Sequence, residues 1–279
     1  MKNKIKILSS AAVCAFAILS VFSQSAFASD AARRKIAVQC YTFKEFTFEE
    51  MLAQLKGLEI DALEATPAQK ISAARPAKIN PDMNASDRAH LKNMLKDAGL
   101  RFSSFGVVSA KSEEDVKKYC EFAKDFGMDA ILTEDNAAML SVWDKWCGFY
   151  GVKMFVHHHS ATSSNQYFDP YVMAHFVSKY KNVMANPDNG HWARSSIDSV
   201  EGFRKLEGEI GSIHFKDKAA FGDISAPDVP YGTGVLDMKA ILAELDRQKY
   251  VGYFVIEYEA NFKDPLPAVR KCVEFLRNN

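Results

Sequence analysis

Cysteine is scarce in this sequence of 279 residues, and its spacing builds neither a metal finger nor a disulfide framework. Of the five cysteines, one lies near the N-terminus, and Cys40, Cys120, Cys147 and Cys272 are far apart without a C-x-x-C pair. A chain of this size can bury a large core without cross-links. We therefore expect these four cysteines to be buried thiols.

An apolar run long enough to cross a membrane is also missing. The longest run, from Ile7 to Phe22, follows three lysines and ends at the A-x-A sequence Ala26-Phe27-Ala28. It is shorter than the roughly 18 residues that a transmembrane helix needs, but it has the form of a secretory signal. We predict that residues 1–28 are a signal peptide and that residues 29–279 are exported, to the periplasm or outside the cell, with no membrane span.

Neither sign of charge is in excess. Removal of residues 1–28 takes away three lysines and no acids, so 35 basic residues become 32 against 35 acidic ones, a net charge of about −3. A nucleic-acid partner is therefore not expected, because such proteins carry a basic surface. No phosphate-binding glycine loop, internal repeat or Gly/Ser linker is present either, which favours a single domain and a small-molecule substrate.

What the sequence does contain is a repeated alternation of short strands and amphipathic helices. Eight apolar, β-branched runs predict strands at 36–43, 61–66, 101–107, 130–133, 152–157, 183–188, 212–216 and 253–257. Segments with helical spacing lie between them. Ser86 is predicted to cap a helix that Gly99 ends, and Ser112 to cap the next. Strands alternating with helices predict a parallel α/β sheet, and eight units favour a closed (β/α)8 TIM barrel over an open doubly wound sheet.

Four of the predicted strands end in residues that bind divalent metals. These are Glu134, Asp188, His214 and Glu257. In a TIM barrel the C-terminal ends of the strands meet at one face, where active sites lie. Three carboxylates and an imidazole favour Mn²⁺, Mg²⁺ or Co²⁺, with Zn²⁺ also compatible, so we predict one divalent metal ion there.

The order of these motifs resembles the sugar isomerase and epimerase group of the xylose-isomerase-like TIM-barrel superfamily. The resemblance is carried by Gln39-x-Tyr41-Thr42, Asp188-x-Gly190-His191, His214-Phe215-Lys216-Asp217 and Gly252-Tyr253-Phe254-x-Ile256-Glu257. It implies that Glu134, Asp188, His214 and Glu257 hold the metal. In the ketose epimerases of this group, two metal-binding glutamates also accept and donate the proton. The resemblance therefore implies that Glu134 and Glu257 are an acid/base pair.

A run of three histidines on the fifth predicted strand departs from the epimerase pattern. It resembles the Y-H-N-H of other relatives, and strand alternation puts His157 and His159 on one side and His158 on the other. His157 and His159 are therefore candidates for a base, a substrate ligand or an extra metal ligand, as well as for simple structural roles. Lys216 is a further catalytic candidate, with an ion pair to a site acid as its alternative.

Sugar-binding residues are expected in the loops at the same face. His191 could hydrogen-bond a hydroxyl, and aromatic rings such as Tyr41 and Trp192 could stack on the apolar face of a sugar. The leading hypothesis is a metal-dependent sugar isomerase or epimerase that removes a proton beside a carbonyl. The alternatives are a lyase or hydratase acting on 3-keto-glycosides by β-elimination, and a sugar-binding barrel without catalysis. The resemblance leaves a homo-oligomer open.

Overall fold

The computed structural model describes residues 33–161 and 166–279, and its main feature is a ring of eight parallel strands. The predicted signal peptide lies outside the described residues. The barrel strands are β1 (Lys35–Gln39), β2 (Ala62–Ala65), β3 (Phe102–Val108), β4 (Ala130–Thr133), β5 (Lys153–Val156), β6 (Val183–Ala185), β7 (Ser212–Phe215) and β10 (Tyr253–Ile256). Two short antiparallel strands, β8 (Asp217–Lys218) and β9 (Asp228–Val229), form a hairpin after β7. All eight predicted strands are thus confirmed, although most are shorter than predicted.

The order of the strands shows that the sheet nearly closes into a barrel. The eight strands follow the order β6-β5-β4-β3-β2-β1-β10-β7, with each neighbouring pair parallel. The two end strands, β6 and β7, meet through the isolated parallel bridges Ala185↔Ile210 and Asp188↔His214. The predicted (β/α)8 TIM barrel is therefore confirmed. The second bridge also brings two of the predicted metal ligands side by side.

Helices cover the outside of the ring. They are α1 (Phe48–Leu55), α2 (Ala85–Ala98), α3 (Glu113–Asp125), α4 (Leu140–Tyr150), α5 (Pro170–Val177), α6 (Asn189–Arg194), α7 (Ser199–Lys205), α8 (Met238–Arg247) and α9 (Leu266–Asn278). Each longer helix buries one apolar stripe, such as Val269, Cys272, Val273 and Leu276 of α9. None of the helices in the described ranges is long and apolar enough to span a membrane.

Local capping agrees with the sequence at two of three helix ends. Gly99 ends α2 in the left-handed conformation, and Ser112 caps α3 by accepting a hydrogen bond from the backbone N–H of Asp115. The predicted cap at Ser86 is wrong, because Asn84 caps α2 instead and accepts from the N–H of Asp87. Asparagine and serine are equally good caps, so composition could not choose between them.

Alternation along the strands separates the barrel interior from the layer under the helices. Ile36 and Val38 belong to the large core that includes helix side chains, whereas Ala37 packs only with strand residues such as Ala62 and Val255. Residues two positions further along the same strands therefore also point inward, at the C-terminal end of the barrel. We call this end the mouth.

The four cysteines of the barrel are buried and reduced, as predicted. Cys120 and Cys147 come within 3.7 Å, a hydrogen-bond contact rather than a covalent bond. Burial raises the pKa of the Cys40 thiol, and the negative charge of Glu64 raises it further. These thiols are consequently core residues rather than reactive ones.

Candidate metal centre and active site

Inward-facing residues at the ends of four adjacent barrel strands converge at the mouth. His157 follows β5, Asp188 follows β6, His214 lies in β7 and Glu257 follows β10. All four are buried. Their proximity follows from the topology, because β5, β6, β7 and β10 are consecutive around the ring once the bridges between β6 and β7 are counted.

His157 is oriented by a hydrogen-bond relay behind it. Its Nδ1 lies 2.7 Å from Asn186 Oδ1, and Asn186 Nδ2 donates to Ser212 Oγ at 2.7 Å. Because the amide uses its N–H toward Ser212, its oxygen accepts from His157, which places the imidazole proton on Nδ1. Nε2 then carries the lone pair, the arrangement found in metal-binding histidines whose other nitrogen is held by the protein. Burial lowers the pKa of His157, which keeps the ring neutral.

His214 lies between two carboxylates. Its Nδ1 is 2.9 Å from Glu257 Oε2, and its Nε2 is 2.5 Å from Glu64 Oε1. Glu64 is itself held by Gln39 Nε2 at 2.7 Å and Ser104 Oγ at 2.6 Å. Burial alone would lower the pKa of His214, but the two carboxylates outweigh it and hold that pKa well above its ordinary value. Glu64 therefore has the structural role of positioning His214.

Asp188 supplies the observation that bears most directly on a cation. Its backbone N–H donates to His158 Nε2, and its Oδ1 accepts from the N–H of His191. Its Oδ2 is buried and has no hydrogen-bond partner among the described residues, although Lys216 Nζ is 3.0 Å away and His214 Nδ1 is 4.0 Å away. The nitrogens near this buried oxygen do not have the angles that a hydrogen bond requires. A carboxylate oxygen without a hydrogen bond is expected where a side chain is positioned to bind a cation.

The geometry of His157, Asp188 and His214 fits a divalent metal. One ligand atom from each lies within 4.8 Å of the others, and all three side chains are buried. We call these three residues the metal group. A second set, His157, His159 and His191, meets the same distance criterion. Two imidazoles and a carboxylate suit Mn²⁺, Co²⁺, Zn²⁺ or Fe²⁺ better than Ca²⁺, which prefers oxygen alone.

Glu134 is placed differently from the other predicted ligands. Its carboxylate makes a close contact with His159 Nδ1, and His157 lies between this pair and His214, with ring centroids 5.3 Å from His159 and 4.6 Å from His214. The His159 side chain is 45% exposed and that of Glu134 26% exposed. The hydrogen bond to Glu134 raises the pKa of His159 despite partial burial. This is a solvent-accessible histidine oriented by a carboxylate.

His158 and Trp192 belong to the core. His158 Nδ1 donates to the carbonyl of His159, and burial lowers the pKa of His158 to about 3, so the ring stays neutral. Trp192 stacks on His158 with ring centroids 5.4 Å apart, and its Nε1 donates to the carbonyl of Phe168. Because Trp192 is fully buried, it has no ring face for a sugar, contrary to the prediction. His158 packs against Trp192 in the core, whereas His159 contacts Glu134 at the mouth, so the two side chains face opposite sides as predicted from strand alternation.

Tyr41 and His191, the other predicted substrate ligands, differ in exposure. Tyr41 is half-buried and lies edge-on to Phe262 at 5.9 Å, with Lys44 Nζ 3.2 Å from its hydroxyl. His191 is buried, its ring centroid lies 4.7 Å from His159, and its Nδ1 has no hydrogen-bond partner among the described residues. Burial holds the pKa of His191 well below its ordinary value. A neutral imidazole with an unused nitrogen is a suitable partner for a hydroxyl.

Lys216 is fully buried among carboxylates. Its Nζ is 3.0 Å from Asp188 Oδ2, 2.8 Å from Glu257 Oε2 and 2.7 Å from Glu259 Oε2. These acids outweigh burial and hold the pKa of Lys216 well above its usual value. Glu259 was not among the predicted residues. It lies three positions beyond the end of β10, where strand alternation no longer applies, so the sequence carried no signal for it.

Gly190 is required by the position of Lys216. A Cβ at Gly190 would lie 2.8 Å from both Cβ and Cδ of Lys216. We expect Gly190→Ala to shift Lys216 and to destabilise the fold by about 1–3 kcal/mol, as overpacking does. Urea denaturation measures this, with Gly148→Ala on α4 as the control, since its Cβ would meet the end of the Asn182 side chain. Equal stability of Gly190→Ala and the native chain would contradict the prediction.

Comparison with known families agrees with this geometry. A family model described as a xylose isomerase-like TIM barrel matches residues 52–279, most of the chain. The chain belongs to this family. The predicted resemblance is thereby confirmed. A search of curated proteins found no match.

Solved structures with the same fold include an uncharacterised protein and two sugar epimerases. An uncharacterised protein from Parabacteroides distasonis is 27% identical, with a TM-score of 0.72 over 88% of this chain and 99% of its own. A D-allulose 3-epimerase from Methylomonas sp. is 13% identical, with a TM-score of 0.69 over 88% and 98%. A 3-keto-D-glucoside 4-epimerase from E. coli is 16% identical, with a TM-score of 0.67 over 88% and 100%. The likeness to the two epimerases is one of fold.

Proposed function

We propose that the chain is a divalent-metal-dependent enzyme that removes a proton beside the carbonyl of a sugar, as sugar isomerases and epimerases do. The observation that carries the proposal is the juxtaposition of the buried metal group with a partly exposed histidine that a carboxylate orients. A fold shared with proteins described as D-allulose 3-epimerase and 3-keto-D-glucoside 4-epimerase supports the same class. A binding barrel without catalysis would have no need for an oriented histidine beside a metal group.

His157, Asp188 and His214 would hold the metal, with Glu257 as the neighbouring carboxylate. His214 would release to solvent the proton that Glu64 and Glu257 stabilise in the metal-free protein. When bound, a divalent cation would supply Lewis-acid stabilisation of the negative charge that develops on a carbonyl oxygen. This assignment puts His157 in the place that the sequence analysis gave to Glu134. It is supported by the hydrogen bonds that hold His157 Nδ1 and by the contact that joins Glu134 to His159 instead.

His159 is the residue that we assign to proton transfer. With the proton of Nδ1 directed at Glu134, its Nε2 carries the lone pair that accepts a proton from carbon. Glu134 fixes this tautomer and stabilises the imidazolium once the proton has been taken. Both side chains are partly exposed, so a substrate entering the mouth can reach them.

Glu257 is less well placed to serve as a second proton carrier. Its Oε2 lies 2.9 Å from His214 Nδ1 and 2.8 Å from Lys216 Nζ, which stabilise the carboxylate in its charged form. A single proton carrier suffices for an isomerisation in which the proton returns to the same face of the substrate. It also suffices for the proton removal that begins a β-elimination. The position of Glu257 therefore favours a 3-keto-glycoside lyase, rather than a two-base epimerase, as the second candidate.

The substrate that we propose is an uncharged sugar or glycoside met outside the cytoplasm. This follows from the predicted signal peptide, because phosphorylated sugars are mainly cytosolic. Within the described part of the chain, the buried cation nearest the metal group, Lys216, is already balanced by three carboxylates and is poorly suited to bind a phosphate.

Deuterium exchange tests the proposal. Metal-loaded protein is incubated in deuterium oxide with a panel of ketoses and 3-keto-glycosides, and loss of the C–H signal beside the carbonyl is followed by NMR. We expect exchange with at least one substrate, abolished by chelator and by Asp188→Asn. Exchange without further change of mass indicates isomerisation or epimerisation, whereas release of the aglycone with an unsaturated sugar indicates the lyase. Absence of exchange with every keto sugar would overturn the proposal.

A further inference from the structure

The buried ammonium of Lys216 stands beside the metal group itself. It lies within 3.0 Å of Asp188 Oδ2 and 2.8 Å of Glu257 Oε2, and its side chain is 1% exposed. The same two oxygens lie 4.0 Å and 2.9 Å, respectively, from His214 Nδ1. A divalent cation that used these oxygens would therefore be a close neighbour of a fixed positive charge.

Only one of the three carboxylates receives a well-directed hydrogen bond from Lys216. Its Nζ donates to Glu259 Oε2 at 2.7 Å, whereas the contacts with Asp188 and Glu257 are ion pairs without hydrogen-bond angles. Asp188 Oδ2 consequently remains without a hydrogen-bond partner. The ammonium thus balances the charge of Asp188 and Glu257 while its one well-directed hydrogen bond goes to Glu259.

Glu259 is positioned independently of this contact. Its backbone N–H donates to Asp228 Oδ2 at 2.7 Å, and Asp228 is in turn the ion-pair partner of Lys218, the next buried lysine. The Glu259 side chain is 25% exposed, so its carboxylate is also partly solvated. Its backbone therefore has an anchor that does not involve Lys216.

We propose that Lys216 is an internal cation that competes with the divalent metal for Asp188 and Glu257, and that Glu259 retains Lys216 when the metal binds. The inference rests on the proposed metal site. In the absence of metal, Lys216 stabilises two buried acids that would otherwise repel each other. With metal bound, its charge opposes the ion at short range, which lowers the affinity and keeps the metal exchangeable.

Two substitutions with opposite expected effects test this. Lys216→Met keeps the buried aliphatic stem but removes the charge, and we expect Mn²⁺ to bind about tenfold tighter or more, because one buried charge at this range is worth at least one decade. Glu259→Gln removes the partner that retains Lys216, and we expect Mn²⁺ binding to weaken by about threefold to tenfold. Isothermal titration calorimetry on the full chain, without any sugar, measures both.

A double variant and a matched control separate the mechanism from simple charge effects. In the Lys216→Met background, Glu259→Gln should change Mn²⁺ affinity by much less than it does alone, because Glu259 acts through Lys216. Lys218→Met removes a buried ammonium paired with Asp228 and should change the affinity by less than about threefold. In chelator, Lys216→Met should melt at a lower temperature than the native chain and gain more from added Mn²⁺.

The outcomes are distinguishable. Unchanged or weaker Mn²⁺ binding by Lys216→Met, with the native chain binding normally, overturns the competition and leaves the proposed function standing. If Glu259→Gln weakens Mn²⁺ binding as much in the Lys216→Met background as it does alone, Glu259 does not act by retaining Lys216. If neither the native chain nor Lys216→Met binds Mn²⁺, Co²⁺ or Zn²⁺, both this inference and the metal-dependent function fail.

Discussion

Replacing His157 with alanine is expected to weaken Mn²⁺ or Co²⁺ binding by about 100-fold or more, because loss of a direct ligand costs more than the 10–100-fold typical of an outer partner. His157 is fixed by Asn186 with its lone pair on Nε2, and it lies with Asp188 and His214 in the metal group. Calorimetric titration of the metal-free protein measures the change. Sugar turnover at moderate metal concentration should fall in parallel and recover in part when metal is added in excess.

Glu134→Gln is the variant that discriminates between the two ligand assignments. If Glu134 serves His159, this substitution should leave the Kd for the metal within a few-fold of the native value while turnover drops. If Glu134 is instead a metal ligand, as the sequence suggested, Glu134→Gln should weaken metal binding strongly. His157→Ala should then bind metal nearly as well as the native chain. The experiment therefore decides whether the ligand comes from the end of β4 or from the end of β5.

The sequence predicted the positions of the strands better than the partners of the side chains. Eight apolar runs and their polar ends were enough to locate Asp188, His214 and Glu257 at one face, since the C-terminal ends of parallel strands must meet there. The choice between Glu134 and His157 depends on which strand ends are adjacent in the ring and on which nitrogen Asn186 holds. Neither is encoded in local composition.

The packing partners of side chains beyond the strand ends were the hardest features to predict. Glu259 follows the last barrel strand, where an acidic residue is typical of a solvated loop. In the structure it accepts a hydrogen bond from Lys216. Trp192 follows the Asp188-x-Gly190-His191 motif, and its position predicted a ring that stacks on a sugar. In the structure it lies on α6 and packs in the core against Phe203. Both depend on the direction in which the chain leaves the strand. Alternation predicts that direction only while the strand continues.

Conversion of His159 to glutamine is expected to lower kcat by about 10²- to 10⁴-fold, the range that general acid/base catalysis contributes. Metal affinity should stay within a few-fold of the native value, because the partly exposed His159 is held by Glu134 rather than by the metal group. Deuterium exchange at the carbon beside the carbonyl should fall by the same factor as kcat. Normal exchange in this variant would remove His159 from the proton-transfer step.

The pH profile gives a second measure of the same residue. A base must be unprotonated to accept a proton, so activity should rise with pH through the pKa of His159 and be lost below it. The hydrogen bond that His159 donates to Glu134 raises that pKa. In Glu134→Gln the pKa should return toward about 6.5, its ordinary value, and the acidic limb of kcat/KM should move to lower pH even though the maximum falls. A limb that stays in place would mean that a group other than His159 accepts the proton.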